Sequence, residues 1–277
     1  MHQRIQSPSS INTFKQCPRK YYYQYIAKLE TKPSIHLLRG NIVHSALEEF
    51  FDMKDVSEVG YALRFQQEAL GLLKRHWDAN ILPLSQLESE DSLEFYLHES
   101  QLMILNITNI FTNRFERQLK KGLLAEQAFK SMTPTIEQEF ISHSHKVRGF
   151  MDAIEVNDEE VRIMDYKTSK TSEINEAYRL QLAIYALLYE EKHGKKPDKV
   201  GIYFLKSTER LLDVTDELLL FAKKEIEQVH KNTKSESIDD YPLKPSRLCN
   251  WGSGKCDYYD NCFGKDKKKE VFLKVKQ

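Results

Sequence analysis

The sequence lacks several features that would assign it to a specialised class. No apolar run approaches the ~18 residues that a membrane span needs, and the first ten residues lack the apolar stretch of a secretory signal. No repeat or low-complexity segment interrupts the 277 residues. These absences predict a globular protein that acts in the cytoplasm and does not enter a membrane.

The sequence also lacks a net charge, which by itself argues against a nucleic-acid partner. The charge is unevenly distributed, however. Residues 1–40 carry seven basic residues and one acid, and residues 263–277 carry six lysines and two acids, so the remaining 41–262 have a balance of −10. Because both ends are basic and the middle of the chain is acidic, the sequence is compatible with a local phosphate-binding surface. The alternative is that the charged tails are simply solvated, which is common.

The sequence pattern predicts three regions. They are a helical region over 1–131, a core of strands and helices over 132–232, and an aperiodic, cysteine-containing tail over 233–277. Helices are predicted from Ser9 or Ser10 through Tyr25 and over 40–54, 58–79, 92–120, 173–193 and 216–231. Strands are predicted over 135–142, 146–156, 160–168, 200–205 and 211–214. This order predicts an α/β (α+β) fold with a central mixed sheet flanked by helices.

The most informative residues are two acids and a lysine on neighbouring predicted strands. Asp165 and Lys167 are two apart, so they project to one face of a strand while Tyr166 faces away. A divalent cation shared with Asp152 would compensate a buried Asp165, because paired carboxylates and water suit Mg²⁺. Such a cation could activate water and stabilise charge on a phosphate. A solvated Asp–Lys pair is the alternative, since D-x-K is common.

The strand–turn–strand unit VRGFMDAIEV…VRIMDYKTSK resembles the core of the RecB-like branch of the PD-(D/E)XK nucleases. Three further stretches resemble that family in its order. SPSSINTFKQCPRKYYYQYI at 7–26 is similar to its N-terminal helix, RGNIVHSALEEFF at 39–51 to its histidine motif, and RLQLAIYALLY at 179–189 to its glutamine–tyrosine helix. Each motif is weak alone, but four in order are specific.

The resemblance implies a metal-dependent DNA exonuclease with a restriction-endonuclease-like sheet, acting on single strands or ends with Mg²⁺ or Mn²⁺. The implied catalytic residues are Asp152, Asp165, Lys167, Gln181 and Tyr185. The implied metal-binding residues are His44, Asp152, Asp165 and Tyr166. The spacing of Tyr178, Gln181 and Tyr185 is consistent with the implied glutamine–tyrosine helix, because residues three and four apart share a helix face. Glu137 is a further candidate carboxylate, and Glu139 is its rival.

Four cysteines form a second constellation: Cys17, Cys249, Cys256 and Cys262. In a cytoplasmic protein they indicate a metal site, and spacing alone leaves a structural Zn²⁺ and a [4Fe–4S] cluster open. No close C-x-x-C pair is present. One N-terminal and three C-terminal cysteines resemble the arrangement in AddB-type and CRISPR-associated RecB-like exonucleases, which implies the [4Fe–4S] cluster. Such a cluster would bring the two basic ends together beside the acidic site.

Candidate DNA contacts lie near the N-terminus: Arg19, Lys20, Tyr22 and Arg39. Neighbouring tyrosines could stack on bases or simply pack. The sequence contains no G-x-x-x-x-G-K-[ST] motif, so a helicase or a recombination or CRISPR partner would supply unwinding. Alternatives are an RNA-processing hydrolase and a nuclease-derived DNA-binding scaffold subunit. The expected location is the cytoplasm at the nucleoid, or the host cytoplasm for a phage-encoded protein.

Overall fold

The computed structural model describes four stretches of the chain: 4–54, 56–157, 160–251 and 254–264. Residues 265–277 of the lysine-rich end, and Asp158 and Glu159 of a predicted turn, lie outside them. Within the described stretches, no helix is both long and apolar enough to cross a membrane. Contacts divide these residues into a first unit (4–32, 142–148, 221–264) and a second unit (33–141, 149–220). The three regions expected from the sequence pattern stay a prediction.

A five-stranded mixed sheet runs through the second unit in the order β1-β2-β3-β4-β5. The strands are β1 (Thr135–Ser142), β2 (Val147–Asn157), β3 (Glu160–Lys167), β4 (Lys199–Phe204) and β5 (Glu209–Asp213). β2 pairs with β3 and β4 with β5 antiparallel, whereas β3 and β4 are parallel. A parallel pair needs a crossover, which is the helix between β3 and β4. Because β3 and β4 are parallel, their carboxyl ends lie at the same edge of the sheet.

Helices of the second unit cover one face of the sheet. They are α3 (Ile35–Phe50), α4 (Tyr61–Ala79), α5 (Ile81–Ser85), α6 (Leu93–Lys120) and α7 (Ala125–Met132). Ser34 and Ser92 cap α3 and α6 by accepting backbone N–H bonds. A cluster of phenylalanines joins these helices, and Tyr166 and Tyr203 of the sheet belong to the same core. The side chain of Tyr166 therefore faces away from Asp165, as predicted.

The crossover helix α8 (Glu176–His193) covers the opposite face. The Asn175 side chain accepts the N–H of Tyr178 at its start, and Gly194 ends it in the left-handed conformation at φ 69°. Gly149 of β2 allows close approach, because a Cβ there would lie 2.9 Å from the Tyr185 ring. This face carries Asp165. The predicted α/β fold with a mixed sheet flanked by helices is thus confirmed.

The first unit contains the N-terminal segment and the chain's C-terminal part. Its elements are α1 (Pro8–Gln16), α2 (Pro18–Tyr21), a π-helical turn (Tyr22–Ile26), most of α9 (Asp216–Asn232), a 3₁₀ turn (Ile238–Asp240), β6 (Asn250–Trp251), β7 (Gly254–Lys255) and α10 (Tyr259–Phe263). The prediction of one helix through Tyr25 was wrong. Ser7 is the cap, and Pro18 forces Cys17 into extended backbone at φ −158°.

The tyrosines after Cys17 pack within the first unit. Tyr21 is fully buried and stacks on Tyr241 with ring centroids 6.0 Å apart, and Gln6 donates to its hydroxyl at 2.7 Å. Tyr23 is buried against Tyr258. These two side chains are therefore structural in this fold and do not present a face to a base.

Two glycines provide a test of the sheet packing. A Cβ at Gly201 on β4 would lie 2.5 Å from the backbone oxygen of Arg210 on β5, whereas one at Gly71 on the exposed face of α4 meets nothing within 4 Å. We expect Gly201→Ala to lower the free energy of unfolding by about 1–3 kcal/mol through overpacking. Gly71→Ala should raise it by about 0.5–1 kcal/mol. Urea unfolding measures both, and an unaffected Gly201→Ala protein would contradict the β4–β5 pairing.

Candidate active site

The carboxylate of Asp152 and the imidazole of His44 meet at the backbone of Tyr166. The Asp152 Oδ2 accepts the Tyr166 N–H at 2.7 Å. His44 Nε2 lies 3.1 Å from the Tyr166 carbonyl oxygen, and its Nδ1 lies 3.7 Å from Asp152 Oδ2. A carbonyl can only accept, so Nε2 carries the proton and the Nδ1 lone pair faces Asp152.

Asp165 is contacted by two other predicted residues, Lys167 and Gln181, and Gln181 is in turn bonded to Tyr185. Lys167 Nζ lies 2.5 Å from its Oδ2. The Gln181 amide donates to its Oδ1 and to the Tyr185 hydroxyl, each at 2.8 Å. The i, i+4 spacing of Gln181 and Tyr185 on α8 produces this fork, as the shared helix face predicted. The structure therefore brings together the acid pair, the lysine, the histidine and the glutamine–tyrosine pair.

Tyr178 extends the same group along α8. Its ring lies 5.5 Å from Lys167 Nζ, which is within cation–π range. Its hydroxyl is 3.3 Å from the Ser169 hydroxyl. Lys167 is thus oriented by a carboxylate on one side and by an aromatic ring on the other.

Two glutamates enlarge the acidic group. Glu137 interacts electrostatically with both Asp152 and His44, and its carboxyl is hydrogen-bonded to that of Glu48. Glu137 is therefore the glutamate of β1 that interacts with the site, and its backbone has a left-handed φ of 44°. The choice between Glu137 and Glu139 stays a prediction. Glu48 was missed from the sequence. It is four residues after His44 on α3, and that spacing was the available signal.

The crowding of carboxylates raises their pKa values. Burial and the neighbouring Asp165 charge raise the pKa of Asp152 from 3.8 to about 8. Burial and the hydrogen-bonded Glu137 raise the pKa of Glu48 to about 7. Like charges in a poorly solvated site favour protonation unless a cation is added. The acidic group therefore has an electrostatic preference for a bound cation.

Burial and the neighbouring carboxylates also set the protonation states of His44, Lys167 and Tyr185 at neutral pH. Burial lowers the pKa of His44, so the ring is neutral at pH 7 and free to donate a lone pair. Burial alone would lower the pKa of Lys167, but the Asp165 carboxylate outweighs it and raises the pKa. Burial and the charge of Asp165 raise the pKa of Tyr185, whose hydroxyl keeps its proton.

A divalent cation is compatible with these donors. The Asp165 Oδ2 is buried and makes no hydrogen bond of good geometry, although Lys167 Nζ is within ion-pair distance. Asp152, His44 Nδ1 and the second lone pair of the Tyr166 carbonyl are the remaining donors. Across the four described stretches, no three His, Cys, Asp or Glu side chains are already arranged as a metal site. A cation bound at the buried Asp165 Oδ2 would compete with Lys167 Nζ for this oxygen.

The four cysteines converge in the first unit. All four line one pocket, together with Lys20 and Tyr258, and none forms a disulfide. Burial raises the pKa of Cys262 to about 11, and the three other thiols add to this effect. The Ser246 N–H donates to Cys249 Sγ at 3.4 Å. Four thiolates are the donor set of a [4Fe–4S] cluster or of Zn²⁺, although among the described residues these four thiols are not already arranged as a metal site.

The candidate DNA contacts have protein partners. Arg19 Nε donates to the Tyr241 carbonyl at 2.7 Å, and the Tyr22 ring is 5.3 Å from that of Tyr241. Lys20 lines the cysteine pocket. Arg39 is 3% exposed and pairs with Glu99. Their role in DNA binding stays a prediction.

Comparison with known proteins gives one family and several distant relatives. A family model of the PD-(D/E)XK nuclease superfamily matches residues 6–263. The Gene 69 protein of Mycobacterium phage D29 is 25% identical over 210 residues, covering 73% of this chain and 74% of that protein. The Gene 69 protein of Mycobacterium phage L5 is 23% identical over 230 residues, with 73% and 76% coverage.

Two further similarities concern nucleases by name. One subunit of the ATP-dependent helicase/nuclease of Listeria monocytogenes is 26% identical over 169 residues, which span 53% of this chain but 13% of that protein. The solved structure of a candidate exonuclease from Eubacterium rectale aligns with a TM-score of 0.51 and 15% identity. The alignment covers 90% of this chain and 86% of that one. At that identity the likeness shows the fold alone.

The raised pKa of Asp152 predicts a pH-dependent stability without metal. The folded protein holds the proton between pH 3.8 and about 8, so the stabilising contribution of protonation is lost as pH rises through that window. Asp152→Asn removes the titration while keeping an acceptor for Tyr166 N–H. We expect its melting temperature, relative to the parent in chelator, to rise by at least about 2 °C between pH 5.5 and 8.5.

The control is Asp78→Asn, which removes an exposed carboxylate paired with Lys74 on α4. Its melting temperature relative to the parent should show no comparable trend with pH. An equal offset for Asp152→Asn at both pH values would contradict the electrostatic account of the acidic group.

Proposed function

The chain belongs to the PD-(D/E)XK nuclease superfamily, and we propose that it is a metal-dependent DNA exonuclease that cleaves phosphodiester bonds at single strands or ends. The observation that carries the proposal is the convergence of Asp152, from the middle of β2, with Asp165 and Lys167, from the end of the neighbouring β3. The names of two similar proteins, a candidate exonuclease and one subunit of a helicase/nuclease, support the proposed nuclease activity.

The proposed metal-binding residues are His44, Asp152, Asp165 and the carbonyl of Tyr166. Nucleases of this superfamily generally use Mg²⁺ or Mn²⁺. When bound, such an ion supplies Lewis acidity that activates water and stabilises charge on the phosphate. The Nδ1 lone pair of His44 and the buried Oδ2 of Asp165 support this donor set.

Lys167 is proposed to act on the reacting phosphate. Its pKa is raised by the adjacent carboxylate, so it is an ammonium at neutral pH. Once released from Asp165 it can neutralise charge at the phosphate or hold the attacking water. Gln181 and Tyr185 keep the Asp165 carboxylate in one orientation, since the Gln181 amide bonds both.

We further propose that Cys17, Cys249, Cys256 and Cys262 hold a [4Fe–4S] cluster, with structural Zn²⁺ as the alternative. The convergence of four free thiols on one pocket supports either centre. The centre would connect the first helical segment to the C-terminal part and close a loop of more than 240 residues. Closing a loop of this length restricts the unfolded chain, so the centre would stabilise the first unit.

The biological setting is proposed from the relatives. We propose DNA repair, recombination or CRISPR-type processing as the setting, and the similarity to one subunit of a helicase/nuclease supports a role beside a helicase. Unwinding would come from a helicase partner, and the location would be the cytoplasm of a cell or a phage host. Assays on single-stranded DNA, duplex DNA and RNA, with Mg²⁺, Mn²⁺ or chelator, distinguish an exonuclease from an RNA hydrolase and from a scaffold subunit.

Variants at the ion pair test the division of roles. Lys167→Ala should reduce cleavage by at least about 10²-fold, because the reacting phosphate loses its ammonium. It should bind Mn²⁺ at least as tightly, since the cation no longer competes with Lys167. Asp165→Asn should lose both cleavage and Mn²⁺ affinity. Cleavage is measured on end-labelled DNA, and Mn²⁺ binding by calorimetry.

The matched control is Lys196→Ala, which breaks a Lys–Asp pair with Asp216 at 2.7 Å on the surface. Its cleavage and Mn²⁺ affinity should equal those of the parent. Cleavage by Lys167→Ala at the parental rate would remove this residue from the proposed chemistry.

The cysteine centre is tested by colour and by metal content. The anaerobically purified chain should be brown, with absorbance near ~400 nm and about four irons per chain. Cys256→Ser should lose the iron and lower the melting temperature, whereas Asp257→Asn beside it should keep both. A colourless protein with one zinc per chain would establish the alternative, and absence of both metals would refute the centre.

A further inference from the structure

A cavity of about 380 Å³ opens in the second unit beside the end of β3. We call it the α3–α6 pocket, because its lining includes His36 and Arg39 of α3, Phe95 and Tyr96 of α6, and Lys170 after β3. Its volume falls in the range of small-ligand pockets, roughly 300–1,000 Å³. None of the proposed catalytic residues lines it.

The α3–α6 pocket is close to the proposed reaction site. β3 and β4 are parallel and end at the same edge, which is where ligands bind in open sheets of this kind. Lys170 is three residues after Lys167, so their Cα atoms are at most ~11 Å apart. Ser169 lines the pocket and contacts Tyr178, whose ring lies against Lys167. A strand at Lys167 therefore reaches the pocket within a few nucleotides.

Aromatic rings surround the pocket. Tyr96 is 2% exposed at its base, and the rings of His36 and Phe95 stand edge-on to it at 5.6 and 5.7 Å. His36 and Phe95 are both exposed to the solvent. Partial burial lowers the pKa of His36, and the Arg39 charge adds to the effect, so the ring is neutral at pH 7. Exposed neutral rings are stacking surfaces for unpaired bases.

Arg39 adds a hydrogen-bond donor that lacks an acceptor. The residue is 3% exposed, its Nη1 donates to Glu99 at 2.6 Å, and its guanidinium lies 5.2 Å from the Tyr96 ring. Its Nε is buried and has no hydrogen-bond partner among the described residues. A buried donor without an acceptor is uncommon, but this one is closed to solvent, so the part of Arg39 that is offered to a ligand is the guanidinium surface that lines the pocket.

The charges of the pocket favour a base over a phosphate. Three cations in its lining (Arg39, Lys170, Lys206) are balanced by three acids (Glu90, Asp91, Glu99). Two of the cations are paired with Glu99. A balanced set of donors and acceptors around rings matches the polar edges and flat face of a nucleobase, whereas a phosphate site carries excess positive charge.

We propose that the α3–α6 pocket binds one unpaired nucleobase of the strand whose phosphate lies at Lys167, and thereby selects single strands over duplexes. The proposal rests on the proposed nuclease function. A paired base cannot enter the pocket without leaving its partner and its neighbours in the stack. Phe95 is the residue that this role requires most directly, because its ring is exposed and stands beside Tyr96 at the pocket's lining.

The test measures binding of a short labelled single strand by fluorescence anisotropy, with Ca²⁺ in place of Mg²⁺ or Mn²⁺ so that cleavage does not interfere. Phe95→Ala should weaken binding about fivefold or more, as expected for loss of one stacked base. Phe95→Trp should restore it. Leu63→Ala, which truncates an exposed apolar side chain on α4, is the control and should bind as the parent does.

An abasic scan locates the base. Each nucleotide of the strand is replaced in turn by an abasic one. At one position, the abasic replacement should weaken binding to the parent protein as much as the Phe95→Ala substitution weakens binding of the intact strand. The same replacement should not weaken binding to the Phe95→Ala protein any further. Non-additivity of this kind identifies a direct contact. On a blunt duplex, Phe95→Ala should change the KM for cleavage less than on the single strand.

The outcomes separate the two proposals. A parent protein that cleaves single strands, with Phe95→Ala binding as tightly as the parent or with additive losses at every abasic position, overturns the base pocket alone. A folded parent that binds and cleaves no nucleic acid with any of the metals overturns the nuclease proposal, and the base pocket falls with it.

Discussion

The candidate active site is organised around the repulsion between two carboxylates, Asp152 and Asp165, that the sheet holds in a poorly solvated place. Without a cation, the pKa of Asp152 rises to about 8. Each of the two acids has compensating contacts: the Tyr166 N–H donates to Asp152, and Lys167 and Gln181 contact Asp165. The same electrostatics would favour the divalent cation that is proposed to bind there.

The first unit meets a different constraint, because its segments come from distant parts of the chain. Tyr21 and Tyr241 stack, and Tyr258 donates to the Leu29 carbonyl at 3.1 Å. These contacts, and the convergence of the cysteines, join residues more than 200 positions apart. Such long-range closure is entropically costly, and a metal centre with four thiolate ligands would offset it.

Periodicity predicted most of the fold and the core of the site. The alternation in β3 indicated that Asp165 and Lys167 share a face, and the spacing on α8 indicated the Gln181–Tyr185 fork. The pairing of Glu48 with Glu137 and the left-handed backbone of Glu137 were not predictable in the same way, because they depend on how α3 meets β1. The α3–α6 pocket was likewise beyond a sequence pattern, since four separate segments build it.

Product analysis on end-labelled single-stranded DNA tests the central claim most directly. The intact chain, supplied with Mn²⁺, should shorten the strand progressively from an end and should stop when the ion is chelated. Strands that stay full-length with every divalent ion, in a folded preparation that binds Mn²⁺, would contradict the claim that the acid pair and Lys167 form a nuclease active site.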